Sequence, residues 1–279
     1  MWQTKIGQDP QDLFELDYPQ NLNSFDAVMM AIPGGAYTTF RTYDHDKAIR
    51  FEEHLRRLEE SARLAGAAVQ FDPDLVRGYV RQIIGQYPSN QELRILVVID
   101  LNENPGDIYY MSEYLNTPSK DAYRNGVKLI TCNMRRQNPK AKLTRSIPLR
   151  EEIRSGFAED VHEALMVDRE GKILEGLTSN FFALKGGELW TNAGSVLLGI
   201  TRSLVIDTVK DAGLKMNFES VNTVELPQIK EAFITSASRA ILPVVQIDNQ
   251  RIGDGTPGVI TRRLMGALEK RIQLEIEPI

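Results

Sequence analysis

Glu175-Gly-Leu-Thr-Ser-Asn180 is the stretch on which the fold turns, with Lys142 thirty-three residues before it and Gly199-Ile-Thr-Arg202 after it. Taken alone, Glu-Gly is an ordinary turn dipeptide and the plain reading is a surface turn. Its neighbours change that. A lysine amine can hold an aldehyde as a Schiff base, a carboxylate can keep a pyridine nitrogen protonated, and Gly-Ile-Thr at a helix start offers backbone amides to a phosphate. In this order the three fragments are the parts of a site for a phosphorylated aldehyde cofactor.

Composition sets the frame around them. The chain has 279 residues, 42% hydrophobic and 25% charged, enough for a sizeable core and two packed lobes. A net charge of -5 argues against a general nucleic-acid binder, and the basic Arg56 and Arg57 are interleaved with Glu52, Glu53, Glu59 and Glu60. The single Cys132 excludes an internal disulfide and suits a reducing compartment. No basic segment leads into a long apolar run at the N-terminus, and no 18-residue apolar stretch occurs, so a cytoplasmic protein without a membrane partner is expected. His45, His54 and His162 fall in separate elements without a metal-binding spacing, so no metal is expected. A nucleotide loop of the GxxxxGK[ST] type is absent, as is a GxSxG elbow.

Patterning divides the chain. Residues 36–43 alternate like a strand, and 47–65 place Phe51, Leu55, Leu58 and Ala62 at helical intervals. Asp72 followed by Pro73 starts a second helix carrying Leu75, Val76, Tyr79, Val80, Ile83 and Ile84. Arg94 to Asp100 and Asp107 to Glu113 read as strands flanking the turn at 102–106. The polar, Pro-containing run Asn116 to Asn125 is the candidate linker. Beyond it, strand signals at 127–132, 163–168, 180–184 and 188–191 alternate with helical spacing at 147–156, 201–213 and 257–273. The expected class is α+β, because the strands are not separated by regular crossover helices.

Five segments in order then carry a family resemblance: HLRRLEES (His54 to Ser61), Lys142, EGLTSNFF from Glu175, GITR from Gly199 and ITSASRAILPV (Ile234 to Val244). Together they resemble the class IV, fold type IV pyridoxal-phosphate aminotransferases, a group holding branched-chain aminotransferases, D-amino acid aminotransferases and aminodeoxychorismate lyases. The resemblance implies pyridoxal 5′-phosphate as cofactor and a homodimer. It also implies a small N-terminal α/β domain (1–117), a linker (118–125) and a larger C-terminal pseudo-barrel domain (126–279). The reaction expected is transfer of an amino group between an amino acid, branched-chain in type, and a 2-oxo acid. The alternatives are elimination of pyruvate by a lyase and a D-amino acid aminotransferase.

The resemblance assigns roles residue by residue. Lys142 would hold the cofactor aldehyde and then move the substrate α-proton, with Lys140 the rival two residues earlier. Glu175 would face the pyridine nitrogen, and Asn180 would support the local backbone. The amides of Ile200 and Thr201, together with Arg57 and Ser238, would take the phosphate. Without the resemblance, a threonine helix cap and an i,i+4 surface pair are the plainer readings of Thr201 and Arg57. Tyr37, Arg41 and Arg94 fall where relatives place substrate-pocket residues. Two departures stand out: Ala237 replaces a phosphate-binding threonine, and Leu-Thr-Arg-Ser-Ile-Pro follows Lys142 where many relatives place a tyrosine that meets the cofactor's phenolic oxygen. Arg145 or Ser146 lies there instead.

Overall fold

The computed structural model describes residues 3–6, 14–15, 22 and 24–279. In chain order its elements begin β1 (Gln3–Ile6), β2 (Phe14–Glu15), α1 (Phe25–Ala31), β3 (Gly35–Arg41), β4 (Lys47–Ile49), α2 (Phe51–Leu64), α3 (Pro73–Ile84), β5 (Leu93–Asp100) and β6 (Ile108–Tyr114). There follow α4 (Lys120–Asn125), β7 (Val127–Cys132), α5 (Ile147–Ser155), β8 (Val161–Val167), β9 (Ile173–Gly176), β10 (Asn180–Lys185), β11 (Glu188–Trp190) and α6 (Ile200–Asp211). The last are β12 (Lys215–Asn217), β13 (Glu231–Ser236), β14 (Ala240–Ile247), β15 (Gln250–Arg251), α7 (Val259–Glu275) and β16 (Ile276–Pro278). The class is mixed α+β. Among the described residues no helix is long and apolar enough to cross a membrane.

The chain separates into two compact units, and neither is continuous in sequence. Unit 1 comprises Met1–Asn116, Lys140–Glu151 and Glu275–Ile279, and unit 2 comprises Thr117–Pro139 and Glu152–Leu274. A single cut near residue 117 therefore does not describe the partition, since Lys142 folds with the N-terminal part. The stretch 118–125 is not bare linker either: Ser119 Oγ accepts from the Ala122 amide at 3.1 Å and starts α4, which ends at Gly126 with φ 79°.

Unit 1 is built on an antiparallel sheet of order β2-β1-β6-β5-β3. Side chains alternate across it. Ala36 and Phe40 join Phe51, Leu55 and Leu58 of α2 and Val76, Val80 and Ile83 of α3 in one core, while Tyr37 joins Leu96, Val98, Phe25, Met29 and Ile147 in another. Helical spacing runs back to residue 47, but 47–49 form β4, because Arg50 turns the chain in the left-handed region (φ 48°) and α2 begins after it. The edge strand β3 is extended by the chain around Lys142. Leu143 bridges Ala36, and the Tyr37 amide donates to the Lys142 carbonyl at 2.9 Å. Ala141 and Leu143 enter the core of Ala36, so period-2 alternation turns Lys142 to the Tyr37 face.

Unit 2 holds a nine-stranded mixed sheet, β12-β11-β10-β13-β14-β7-β8-β9, with β15 on β14. Leu129, Leu165, Phe181, Ile234, Leu242 and Ile247 share one core. The adjacent residues Phe182 and Phe233 stack with ring centroids 5.0 Å apart. Antiparallel β10–β13 pairing sets Asn180 opposite Thr235, and the short turn between β9 and β10 returns Glu175 and Asn180 to the same neighbourhood.

Candidate active site

In unit 1 the backbone of Lys142 is pinned from both sides. Its amide donates to Ser61 Oγ at 3.1 Å, and Ser61 Oγ in turn donates to the Arg57 carbonyl at 2.7 Å. The Lys142 ammonium lies 4.6 Å from the centre of the Tyr37 ring, within cation–π range. Lys142 is half-buried and Lys140 is exposed, which is the difference expected between a working lysine and a solvated one.

Tyr37 is itself held. Its hydroxyl accepts from Arg150 Nη1 at 3.4 Å, and Arg150 pairs with Asp26. Burial opposes the charge on Arg150, but Tyr37 and Asp26 outweigh it and raise its pKa above the ordinary arginine value. Arg41 and Arg94 lie directly opposite each other on β3 and β5. Arg41 is paired with Glu92, and Arg94 with Glu113 at 2.7 Å, so a substrate carboxylate would have to displace an existing partner at either one. Of the three substrate candidates, Tyr37 is the one brought to Lys142. Ser146 is committed to the Leu143 carbonyl (3.1 Å), and Arg145 is exposed.

Arg57 is half-buried on α2. Burial lowers its pKa to about 10, with Tyr37 and Glu53 acting the other way. Its Nη2 donates to Thr38 Oγ1 at 2.9 Å, while its buried Nε has no hydrogen-bond partner among the described residues. That is the condition of a cation prepared for an anion.

In unit 2, Glu175 is 2% exposed. Its Oε2 accepts from Asn180 Nδ2 at 3.1 Å and from the Leu197 amide at 3.2 Å, and its Oε1 stands 3.4 Å from Arg136 Nη1. Asn180 Nδ2 also donates to the Leu197 carbonyl at 2.8 Å, so this side chain ties Glu175 to the chain leading into α6. Gly199, not Thr201, is the N-cap of α6, and no side chain caps the helix. Its first amides are therefore open to an anion, as the helix dipole favours. A Cβ on Gly199 would stand 2.5 Å from Asn180 Oδ1, so only glycine lets the helix start lie this close to the residue that holds Glu175. Ser238 is half-buried in the turn 237–239 between β13 and β14.

The EGLTSN turn is fixed by a second buried carboxylate. Glu163 accepts from the Thr178 amide and hydroxyl (2.5 and 2.8 Å), from Ser179 Oγ (2.9 Å) and from Arg239 Nη1 (2.6 Å). Burial works against its charge, but Arg239 and the donors from Thr178 and Ser179 prevail and lower its pKa. A depressed carboxylate stabilises the fold above its unfolded pKa, and that stabilisation is lost as pH falls through the folded value. Glu163→Ala leaves the half-buried Arg239 and the Thr178 and Ser179 donors without their shared acceptor and is expected to cost about 1–3 kcal/mol. Denaturant unfolding at neutral pH measures it, and the gap between wild type and variant should narrow in acid.

These two groups of residues are set in a recognisable chain. A family model described as amino-transferase class IV matches residues 35–247. The chain belongs to that family. As a class IV aminotransferase it is an enzyme, and its cofactor is pyridoxal 5′-phosphate. It is 26% identical over 258 residues to a D-alanine aminotransferase of Bacillus licheniformis, covering 86% of this chain and 88% of the relative. To a branched-chain-amino-acid aminotransferase of Pseudomonas aeruginosa it is 25% identical over 266 residues, covering 84% and 82%. In fold it is similar to a putative branched-chain amino acid aminotransferase of Thermotoga maritima (TM-score 0.78, 24% identity, 97% and 96% covered). A second similar fold, the T.th. branched-chain amino acid aminotransferase solved with pyridoxamine 5′-phosphate, gives 0.77 at 22% identity, with 99% and 98% covered.

The residues present suit the cofactor. A half-buried arginine with an unsatisfied Nε and an uncapped helix start both suit a phosphate, and a buried carboxylate held in place at Oε2 suits a ring nitrogen. Arg136, Arg150 and the Leu197 amide are contributors that patterning alone does not single out. Arg136 reads as one more cation of a basic stretch, and a backbone N–H has no side-chain signature.

Proposed function

We propose that this enzyme transfers an amino group between a branched-chain amino acid and a 2-oxo acid, with Lys142 and Glu175 acting on one cofactor. The observation that carries this reading is the setting of Glu175, a buried carboxylate whose Oε2 accepts from Asn180 and the Leu197 amide and whose Oε1 faces Arg136. Bound pyridoxal phosphate supplies an electron sink that stabilises the carbanion left when the α-proton departs.

The chain's own residues do the rest. Lys142 Nζ would hold the cofactor aldehyde and, once displaced by the substrate amine, would be the base that takes the α-proton and returns it on the far side of the substrate nitrogen. The Tyr37 ring and the pinned Lys142 backbone restrict that motion to the lysine side chain. Glu175 keeps the ring nitrogen protonated. Arg57, the amides of Ile200 and Thr201, and Ser238 hold the phosphate, replacing water with fixed donors.

A branched-chain substrate is supported by the branched-chain-amino-acid aminotransferase of Pseudomonas aeruginosa among the relatives; unit 1 also holds a cleft of about 530 Å³ of mixed lining, with Met29, Met30, Ile32, Leu143 and Pro148 beside Asn102, Thr144 and Arg145. The relative from Bacillus licheniformis favours a second reading, a D-amino acid aminotransferase. Incubation of the holoenzyme with L-leucine or D-alanine, each without an oxo acid, tests both: the reactive donor should convert the cofactor to its amine form. Unchanged absorbance with both, and with L-glutamate, would remove the transfer reading in favour of elimination. We also take the enzyme to be a homodimer, as the family resemblance implies, and cytoplasmic, as its composition leads one to expect.

The phosphate assignment has its own test. If the Thr201 hydroxyl joins the Ile200 and Thr201 amides and Arg57 at the phosphate, Thr201→Ala and Arg57→Ala should each weaken pyridoxal phosphate binding by about tenfold or more, the scale of a hydrogen bond to a charged group. Melting of the apo-protein should change little, because Thr201 does not cap α6 and Arg57 is in no salt bridge among the described residues. Unchanged cofactor affinity in both variants would defeat the assignment.

A further inference from the structure

Thr38 and His54 lie beneath Arg57, 0% and 2% exposed. Arg57 Nη2 donates to Thr38 Oγ1 at 2.9 Å, and Thr38 Oγ1 lies 3.0 Å from His54 Nδ1, which is itself 3.4 Å from Arg57 Nη2. A guanidinium can only donate. Thr38 Oγ1 therefore accepts from Arg57, and Nδ1, which also faces Arg57 Nη2, acts as an acceptor that takes the Thr38 hydroxyl proton, placing the imidazole proton on Nε2. The surroundings hold His54 in that neutral state: burial first, then the charges of Arg57 and Lys142, push its pKa well below the ordinary value.

We propose that Thr38 and His54 are positioning residues for Arg57, a relay in which the Thr38 hydroxyl, oriented by His54 Nδ1, aims the guanidinium at a phosphate without neutralising it. The inference rests on the reading of Arg57 as a phosphate ligand. A carboxylate in the place of Thr38 would fix the arginine equally well, but it would compete with the incoming dianion for the same charge. A hydroxyl backed by a neutral ring supplies direction alone. The cation then keeps its full attraction for the ligand, and its Nε edge has no partner within the protein among the described residues. Because Ser61 joins the Arg57 carbonyl to the Lys142 amide, a guanidinium held in this way also has a fixed relation to the backbone that carries the lysine.

The experiment compares apo-enzyme affinity for pyridoxal 5′-phosphate with affinity for pyridoxal, which lacks the phosphate, in Thr38→Val, Thr38→Ser and Arg57→Ala. Thr38→Val keeps the shape and loses the hydroxyl. It should weaken binding of the phosphorylated ligand by about tenfold and leave pyridoxal unaffected, while Thr38→Ser restores affinity to within about twofold. Equal weakening for both ligands, or no change for either, would overturn the proposal. Should Thr38→Val not fold, His54→Leu against His54→Asn, which keeps an acceptor near Nδ1, makes the same comparison. Arg57→Ala separates the two levels. If it does not weaken phosphate-dependent binding, the phosphate reading of Arg57 fails and the relay with it; if it does while the Thr38 and His54 variants bind normally, the relay alone is wrong.

Discussion

Lys142→Ala is expected to abolish the absorbance of lysine-bound cofactor, its trapping by borohydride, and turnover, with activity falling by about four orders of magnitude or more. The expectation follows from geometry as much as from sequence spacing. The Lys142 ammonium lies against the Tyr37 ring while its backbone is bonded on one side to Ser61 and on the other to Tyr37. Lys140 is exposed and should be replaceable by alanine with trapping intact. Cofactor should still bind to the Lys142 variant, since the residues proposed to hold the phosphate are others. Trapping that survives in Lys142→Ala and disappears in Lys140→Ala would move the assignment by two residues.

For Glu175→Gln the expected fall in turnover is about two orders of magnitude or more, the scale of removing one central electrostatic contact. The position of the new amide can be worked out. Asn180 Nδ2 and the Leu197 amide both donate to Oε2, so the glutamine oxygen must stay there and its NH2 must take the place of Oε1. That NH2 would face Arg136, a donor meeting a donor, and would offer a hydrogen to a ring nitrogen that needs an acceptor. Cofactor should remain bound while steady-state turnover collapses. Turnover near that of the wild type would remove Glu175 from the mechanism.

Local signals made much of the architecture readable. Asp72 before Pro73 places the start of α3, because both residues act on the first turn alone. The strand at 127–132 and the helix at 147–156 lie within a residue of β7 and α5 for the same reason. Where two local signals conflict the reading fails, as at 47–49, where Arg50 overrides the periodicity that follows it. The site shows the same divide. EGLTSN and GITR are contiguous, so their chemistry can be read directly. Arg136 meeting Glu175, Arg150 meeting Tyr37, and the insertion of Lys142 beside β3 join residues far apart in the chain, and no periodicity encodes such a meeting. Asn180 is visible as part of a motif, but its task of holding Glu175 emerges only from the turn that brings them together.

The interrupted course of unit 1 bears on how the polypeptide is made. Its sheet is complete by residue 114, but the segment that carries Lys142 comes later, and β16, which pairs with β4 through Ile276↔Ile49, comes last. At ribosomal rates of roughly 5–20 residues per second, β4 waits on the order of ten seconds or longer for its partner. During that interval the growing protein carries an unpaired strand. Nascent chains halted before residue 275 should therefore be more open to proteolysis around β4 than finished ones, and assembly of unit 1 during synthesis cannot run simply from its beginning to its end.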